Sequence, residues 1–214
     1  MHKKAVLFDL DGTLLDTCEG VLLSVKETEA HFGLPALTDA EYQKFNGPPM
    51  KQSMMRYHGL DSETADTVTA YFRERYKTVN LRKAARYAGE IEALTALKAR
   101  GVRMGVATYK RTDYAIDILK HFELAPFFAV IEGDTEASDR TKADIIRIAA
   151  EKLAADPREV VMVGDTMGDY DGATAAGADF IGVTYGFGFT PDGEKPDGVQ
   201  YCNSFKELLK ILCE

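Results

Sequence analysis

The chain has no long apolar run, no block of basic residues and few cysteines. Each absence excludes something. The first apolar run, Ala5–Phe8, follows two lysines and stops at Asp9, too short for a signal peptide or a membrane span, so no membrane partner is expected. Lys and Arg number 26 against 34 Asp and Glu, a net charge of -8, and the basic residues do not cluster. Affinity for nucleic acid rests on neutralising phosphates with such side chains, so nucleic acid is excluded as a partner. The three cysteines, Cys18, Cys202 and Cys213, are odd in number, far apart and without metal-like spacing. They fit a reduced, cytoplasmic protein. The histidines are scattered and form no ligand set, and no internal repeat or low-complexity tract is present.

What is present is an ordinary globular composition, 45% hydrophobic and 28% charged over 214 residues, with room for a substantial core. The most informative segment is the first, Ala5-Val6-Leu7-Phe8-Asp9-Leu10-Asp11-Gly12-Thr13. A continuous apolar run reads as a buried parallel strand, and functional groups in such folds gather at the carboxyl ends of strands. Asp9 and Asp11 stand two apart, the strand period that puts side chains on one face, and a turn is expected at this strand end to bring them to one crevice. Gly12 supplies the freedom for that turn.

Residues 17–82 read as all-helical. Val21, Leu22, Val25 and Thr28 keep helical spacing up to Gly33, and Thr38 to Glu41 forms a capping box. Pro48-Pro49 begins a further helix that Gly59 ends, and Asp61 caps a long one carrying Val68, Tyr71, Phe72 and Tyr76. From residue 83 strands and helices alternate. Strands are predicted over 102–108, 127–132, 160–163 and 180–183. Helices are predicted around Leu94, Leu119, Ile146, over 173–176 and over 205–212. The expected fold is α/β: a Rossmann-like parallel sheet from residues 1–16 and 83–214, with an all-helical cap, 17–82, inserted after the first strand. The insertion holds 8 Lys/Arg and 9 Asp/Glu, net -1, which leaves 18 and 25, net -7, on the sheet domain. An anionic substrate needs a cation there.

Four places carry candidate chemistry: Asp9-x-Asp11, Thr108 after Gly105-Val106-Ala107, Lys142 at a helix start, and Gly164-Asp165-Thr166-Met167-Gly168-Asp169. Alone, each is an ordinary turn, cap or solvated residue. Together they form a kit for phosphoryl transfer. A carboxylate can attack phosphorus, clustered carboxylates can bind Mg²⁺, a hydroxyl and a lysine can hold phosphoryl oxygens, and a second carboxylic acid can protonate the leaving oxygen. The same residue types occur in non-catalytic, phosphate-dependent binding modules. The insertion and the second Asp argue against that class.

These motifs resemble those of the haloacid dehalogenase superfamily, in its branch with a helical cap after the first motif. The resemblance spans the chain. It implies Asp9 as nucleophile and Asp11 as general acid/base, with the Asp11 backbone carbonyl also touching Mg²⁺. It implies Thr108 and Lys142 as the phosphoryl-holding pair, and Asp165 and Asp169 as metal residues, Asp169 directly or through water or Lys142. Tyr109 stands where many relatives have Asn, and Ala143 where many have Pro. Asn46-Gly47-Pro48-Pro49 and the stretch Gly182–Gly188 are similar to phosphoglycolate phosphatases and to relatives called 5′-nucleotidases. The resemblance therefore implies a Mg²⁺-dependent phosphatase for a small phosphomonoester. Tyr109, Asn46, Gly47 and Lys51 are further substrate-binding candidates, and a sugar phosphomutase is the alternative within the family. Gly186-Phe187-Gly188 lacks the third glycine of a dinucleotide fingerprint and reads as a loop near the site.

Overall fold

The computed structural model describes residues 3–137 and 139–213. The chain divides into two compact units, 1–16 with 86–214, and 17–85. The first is an α/β sheet domain. It begins with β1 (Ala5–Phe8) and the short β2 (Leu15–Asp16). The second is helical: α1 (Cys18–Phe32), α2 (Asp39–Tyr42), α3 (Met50–His58) and α4 (Ser62–Arg75), then a π-helical turn over Tyr76–Asn80. The expected caps hold. Gly33 and Gly59 end α1 and α3 in the left-handed region, and the side chains of Thr38 and Asp61 cap α2 and α4. Lys83 stays with the helical unit because its carbonyl accepts from Gly20 N–H and its N–H donates to the Asn80 carbonyl, both at 3.0 Å.

The chain returns through β3 (Ala85–Arg86) and α5 (Glu90–Ala99). It then alternates β4 (Arg103–Arg111), α6 (Thr112–His121), β5 (Val130–Asp134), α7 (Lys142–Lys152), β6 (Val160–Gly164), α8 (Met167–Ala176) and β7 (Asp179–Val183). It closes with β8 (Gln200–Cys202) and α9 (Phe205–Cys213). Six strands form one sheet in the order β5-β4-β1-β6-β7-β8, and every ladder is parallel. The chain grows outward from β1 through β4 to β5, then starts again on the other flank with β6. The order therefore reverses between β1 and β6, and ligands of open α/β sheets bind at such a switch point.

The core explains the rigidity of that point. All of β1 and all of β6 are buried. Ala5, Leu7, Val160 and Met162 pack against Ile145, Ile146, Ala149 and Ala150 of α7. The paired alanines let the helix lie close on the sheet, and shortening Ile146 to alanine there costs about 2–5 kcal/mol.

Four local expectations shift. The strand predicted over 127–132 lies at Val130–Asp134, because Pro126 sits in a 3₁₀ turn over Ala125–Phe127. The strand expected to stop at Thr108 continues to Arg111 through a register shift. The short helix expected over 173–176 begins at Met167, since Thr166 and Asp169 build a capping box. The edge strand β8 follows a Gly- and Pro-rich stretch that masked it. No helix among the described residues is long and apolar enough to cross a membrane.

Candidate active site

The site is built at the carboxyl ends of β1, β4 and β6. Phe8 pairs with Val106 on one side and Val163 on the other, so the residues that follow are delivered to one edge. Asp9 follows β1 directly, with its N–H donating to the Val163 carbonyl at 2.8 Å. Its carboxylate is buried. The chain then turns: Thr13, Leu14 and Leu15 all donate to the Leu10 carbonyl, and Gly12 takes a φ of +80°. That turn is the one expected at Gly12.

After β6, Asp165 is fully buried. Its Oδ1 accepts from the Thr13 hydroxyl at 3.0 Å and its Oδ2 from the Phe187 N–H at 2.8 Å. The Gly186–Gly188 loop is thus a clamp on Asp165. A Cβ on Gly186 would come within 2.5 Å of the Asp165 carboxylate and 2.3 Å of the Gly12 carbonyl. Asp169 lies in the first turn of α8. Its Oδ2 accepts from the Thr166 N–H at 3.0 Å and hydroxyl at 2.7 Å. The helix cap therefore also aims Oδ1 at the site.

Lys142 joins these groups. It is the first residue of α7, whose N-cap is Thr141. Its buried Nζ lies 2.7 Å from Asp9 Oδ1 and 2.6 Å from Asp169 Oδ1. Tyr109 contacts it twice: the Tyr109 hydroxyl accepts from the Lys142 backbone N–H at 3.1 Å, and the ring centroid lies 5.4 Å from Nζ. Thr108 is buried beside them on β4, its hydroxyl accepting from the Lys110 N–H at 3.2 Å.

Asp9, Asp165 and Asp169 each present one oxygen, all within 4.8 Å of one another. Burial, then repulsion from Asp169 and Asp11, raises the Asp9 carboxyl to about 7 against the pull of Lys142. Burial, then Asp169 and Asp9, raises Asp165 well above the usual carboxylate range. Burial pulls the Lys142 ammonium down, but Asp169 and Asp9 outweigh it and hold it above its ordinary value. One ammonium thus leaves carboxylate charge uncompensated. An oxygen-only, buried, anionic donor set fits a hard divalent cation such as Mg²⁺. The Asp11 carboxylate stands outside this trio and pairs with Lys110 Nζ at 2.9 Å.

The structure brings together Asp9, Asp165, Asp169, Lys142 and Tyr109, with Thr108 and Asp11 flanking them. The helical-unit candidates have partners of their own. Lys51 Nζ is 2.7 Å from Asp66. Asn46 is buried, its Nδ2 3.3 Å from Cys18 Sγ, while its Oδ1 has no hydrogen-bond partner among the described residues. Gly47 has a φ of +108°. Sequence reasoning missed Lys110, Thr13 and Phe187. Thr13 was visible within the first motif. Phe187 lies in the loop read from the sequence as near the site, though its amide was given no role, and Lys110 carries no local signal.

Comparison with known proteins agrees with this geometry. The family model described as "Haloacid dehalogenase-like hydrolase" matches residues 6–183. A 5′-nucleotidase of Pseudomonas aeruginosa is 36% identical over 210 residues, covering 97% of this chain and 94% of that protein. A phosphoglycolate phosphatase of Agrobacterium fabrum is 33% identical, covering 97% and 91%. The tyrosine-protein kinase PtkA of Mycobacterium tuberculosis is 36% identical, over 86% of this chain and 62% of that protein. A crystal structure described as a "predicted phosphatase" from Clostridium acetobutylicum superposes with a TM-score of 0.92 at 38% identity, covering 100% of this chain and 99% of that one. A buried carboxylate cluster at the switch point of a parallel sheet, in a sequence so closely matched, has one consistent reading: the chain belongs to the haloacid dehalogenase-like hydrolase family and is one of its phosphatases.

Proposed function

We propose that the protein is a cytoplasmic, Mg²⁺-dependent phosphatase that hydrolyses a small phosphomonoester, of the phosphoglycolate or nucleotide kind, through a phosphorylated Asp9. The observation that carries this reading is the buried Lys142 ammonium bridging Asp9 and Asp169 within the three-carboxylate cluster. Lys142 fixes Asp9 by Oδ1 and leaves its other oxygen to attack phosphorus. The bond to the alcohol oxygen breaks, and Asp11 gives that oxygen a proton. Asp11 then takes a proton from the water that attacks the phospho-aspartate, which releases phosphate and restores Asp9. The Thr108 hydroxyl and the Lys142 ammonium hold the phosphoryl oxygens. Asp9, Asp165 and Asp169, with the Asp11 carbonyl, would hold Mg²⁺. When bound, the ion would offset the repulsion between an anionic nucleophile and an anionic phosphate.

Asn46, Gly47 and Lys51 are proposed to select the substrate from the inserted helical unit, 17–85. The buried Oδ1 of Asn46, without a hydrogen-bond partner among the described residues, supports this more than Lys51, which is already paired with Asp66. The name of the tyrosine-protein kinase relative favours a second reading, in which a hydroxyl other than water accepts the phosphoryl group from Asp9. Phosphate release without any added acceptor decides for hydrolysis.

The test is Asp9→Asn. An amide is a poor nucleophile, so turnover should fall by about 10⁴-fold or more with the melting temperature retained. Acid quenching of the wild type with ³²P-labelled substrate should trap label on the protein, and quenching of Asp9→Asn should not. Near-normal turnover in a clean Asp9→Asn preparation sinks the covalent route.

A further inference from the structure

Lys110 belongs to none of the roles given above, yet its side chain is only 6% exposed and its Nζ lies 2.9 Å from Asp11 Oδ1. An exposed strand lysine would extend into water, and a lysine drawn inside has a partner and a reason. The backbone supplies the means. Ala107 pairs with Glu132 and Arg111 with Asp134, so four steps along β4 match two along β5. Such a bulge re-aims side chains. Here it lets three successive residues serve the site: Thr108 is buried, Tyr109 reaches Lys142, and Lys110 reaches Asp11.

We propose that Lys110 determines specificity for the leaving group: it holds Asp11 in the free enzyme and exchanges it for a carboxylate carried by the substrate's alcohol. The inference rests on the reading of Asp11 as the acid that protonates the leaving oxygen. That acid must come within hydrogen-bond reach of the oxygen. An ammonium 2.9 Å from the acid then stands within reach of a group two or three bonds beyond the same oxygen. The other site cation, Lys142, is engaged by Asp9 and Asp169 and, in the proposed mechanism, by the phosphoryl oxygens. A second anion entering the sheet unit, whose 17 Lys/Arg against 25 Asp/Glu give a net charge of -8, has no comparable partner among the site residues described above. One ammonium matches one carboxylate, whereas a second phosphate would bring more charge than Lys110 can offset. The exchange releases Asp11 Oδ1 to face the leaving oxygen. The proton given to the alcohol comes from Asp11, which holds the one taken from the attacking water of the preceding turnover.

The test compares 2-phosphoglycolate with 2-hydroxyethyl phosphate, which has a hydroxymethyl group in place of the carboxylate. The variants are Lys110→Met and Lys110→Arg, with an aryl phosphate as the activity control. The wild type should prefer phosphoglycolate. Lys110→Met should lower kcat/KM for phosphoglycolate about 30-fold more than for the hydroxyethyl ester, with a raised KM for phosphoglycolate. Lys110→Arg should restore most of the preference. Lys110→Gln serves the same purpose if Lys110→Met loses its melting transition. An equal loss on both esters assigns Lys110 only to positioning Asp11 and overturns the inference. So does an unchanged ratio, or a wild type that turns over the aryl phosphate without preferring the carboxylate. A wild type inactive on all three esters overturns the phosphatase mechanism itself, and the Lys110 exchange with it.

Discussion

Asp165 is held by its surroundings on every side, and the glycines around it are part of the hold. Gly12 combines a φ of +80° with a Cβ position 2.3 Å from Asp165 Oδ2, and Gly186 leaves no more room. Gly186→Ala should push the clamp loop off Asp165 and lose its Phe187 hydrogen bond. A misplacement of about 1 Å in such a site is worth on the order of 10²-fold in rate, so kcat/KM should fall by that order. Far-UV circular dichroism should stay unchanged, because the loop lies outside the sheet. Retained full activity would show that the clamp is dispensable. At this scale the sequence was legible where a polar residue interrupts an apolar strand end: Asp9, Asp165 and, one helical turn on, Asp169. Lys142 and Thr108 were legible only by their order. Lys110 was not, because a lysine next to Arg111 at a strand end reads as solvated until the bulge turns it inward.

Among the elements, α5 carries an unusual first turn. Glu90 is 1% exposed, and neither carboxylate oxygen has a hydrogen-bond partner among the described residues. Burial, only partly opposed by Arg86, raises its carboxyl to about 8 from 4.5. The folded state therefore binds this proton more tightly than the unfolded chain does. The resulting stability is complete below pH 4.5 and is lost as pH rises through about 8. Glu90→Gln removes the dependence. The variant should match the wild type near pH 5 and exceed it at pH 8 by on the order of 1–3 kcal/mol in urea unfolding. A constant difference across that range would refute the assignment. In α8, Thr166→Ala should cost about 1 kcal/mol as a lost cap. It should also release Asp169 Oδ2 and so lower activity, a coupling that a remote cap would not show. The elements were legible from apolar spacing and caps. Their exact ends were not, because a register shift and a 3₁₀ turn are set by packing between strands rather than by local pattern.

For the whole molecule, the uncompensated charge of the carboxylate cluster predicts that Mg²⁺ stabilises the fold. An ion that binds only the folded chain at a hundred times its Kd adds about 2.7 kcal/mol, which for a chain of this size raises Tm by roughly 5–10 °C. EDTA should reverse the rise, and Asp165→Asn should abolish it whether or not the variant retains activity. No shift at saturating Mg²⁺ would remove the metal from the site. The alternation of strands and helices made the parallel sheet legible at this scale, while the net charges of the two segments marked the acidic part without naming its cations. The strand order has a further consequence in time. β1 leaves the ribosome first, yet Ala5 pairs with Arg103 and Val160, neither of which exists when β1 emerges. The helical unit, 17–85, is therefore synthesised while β1 has no neighbour. Closing so long a loop adds little to the equilibrium cost, about 0.6 kcal/mol per doubling, but non-local pairing slows folding. Asp9, the proposed nucleophile, is made 156 residues before its neighbour Asp165. A nascent chain stalled before β6 lacks Asp165, so the carboxylate cluster is complete only after most of the sheet has been delivered.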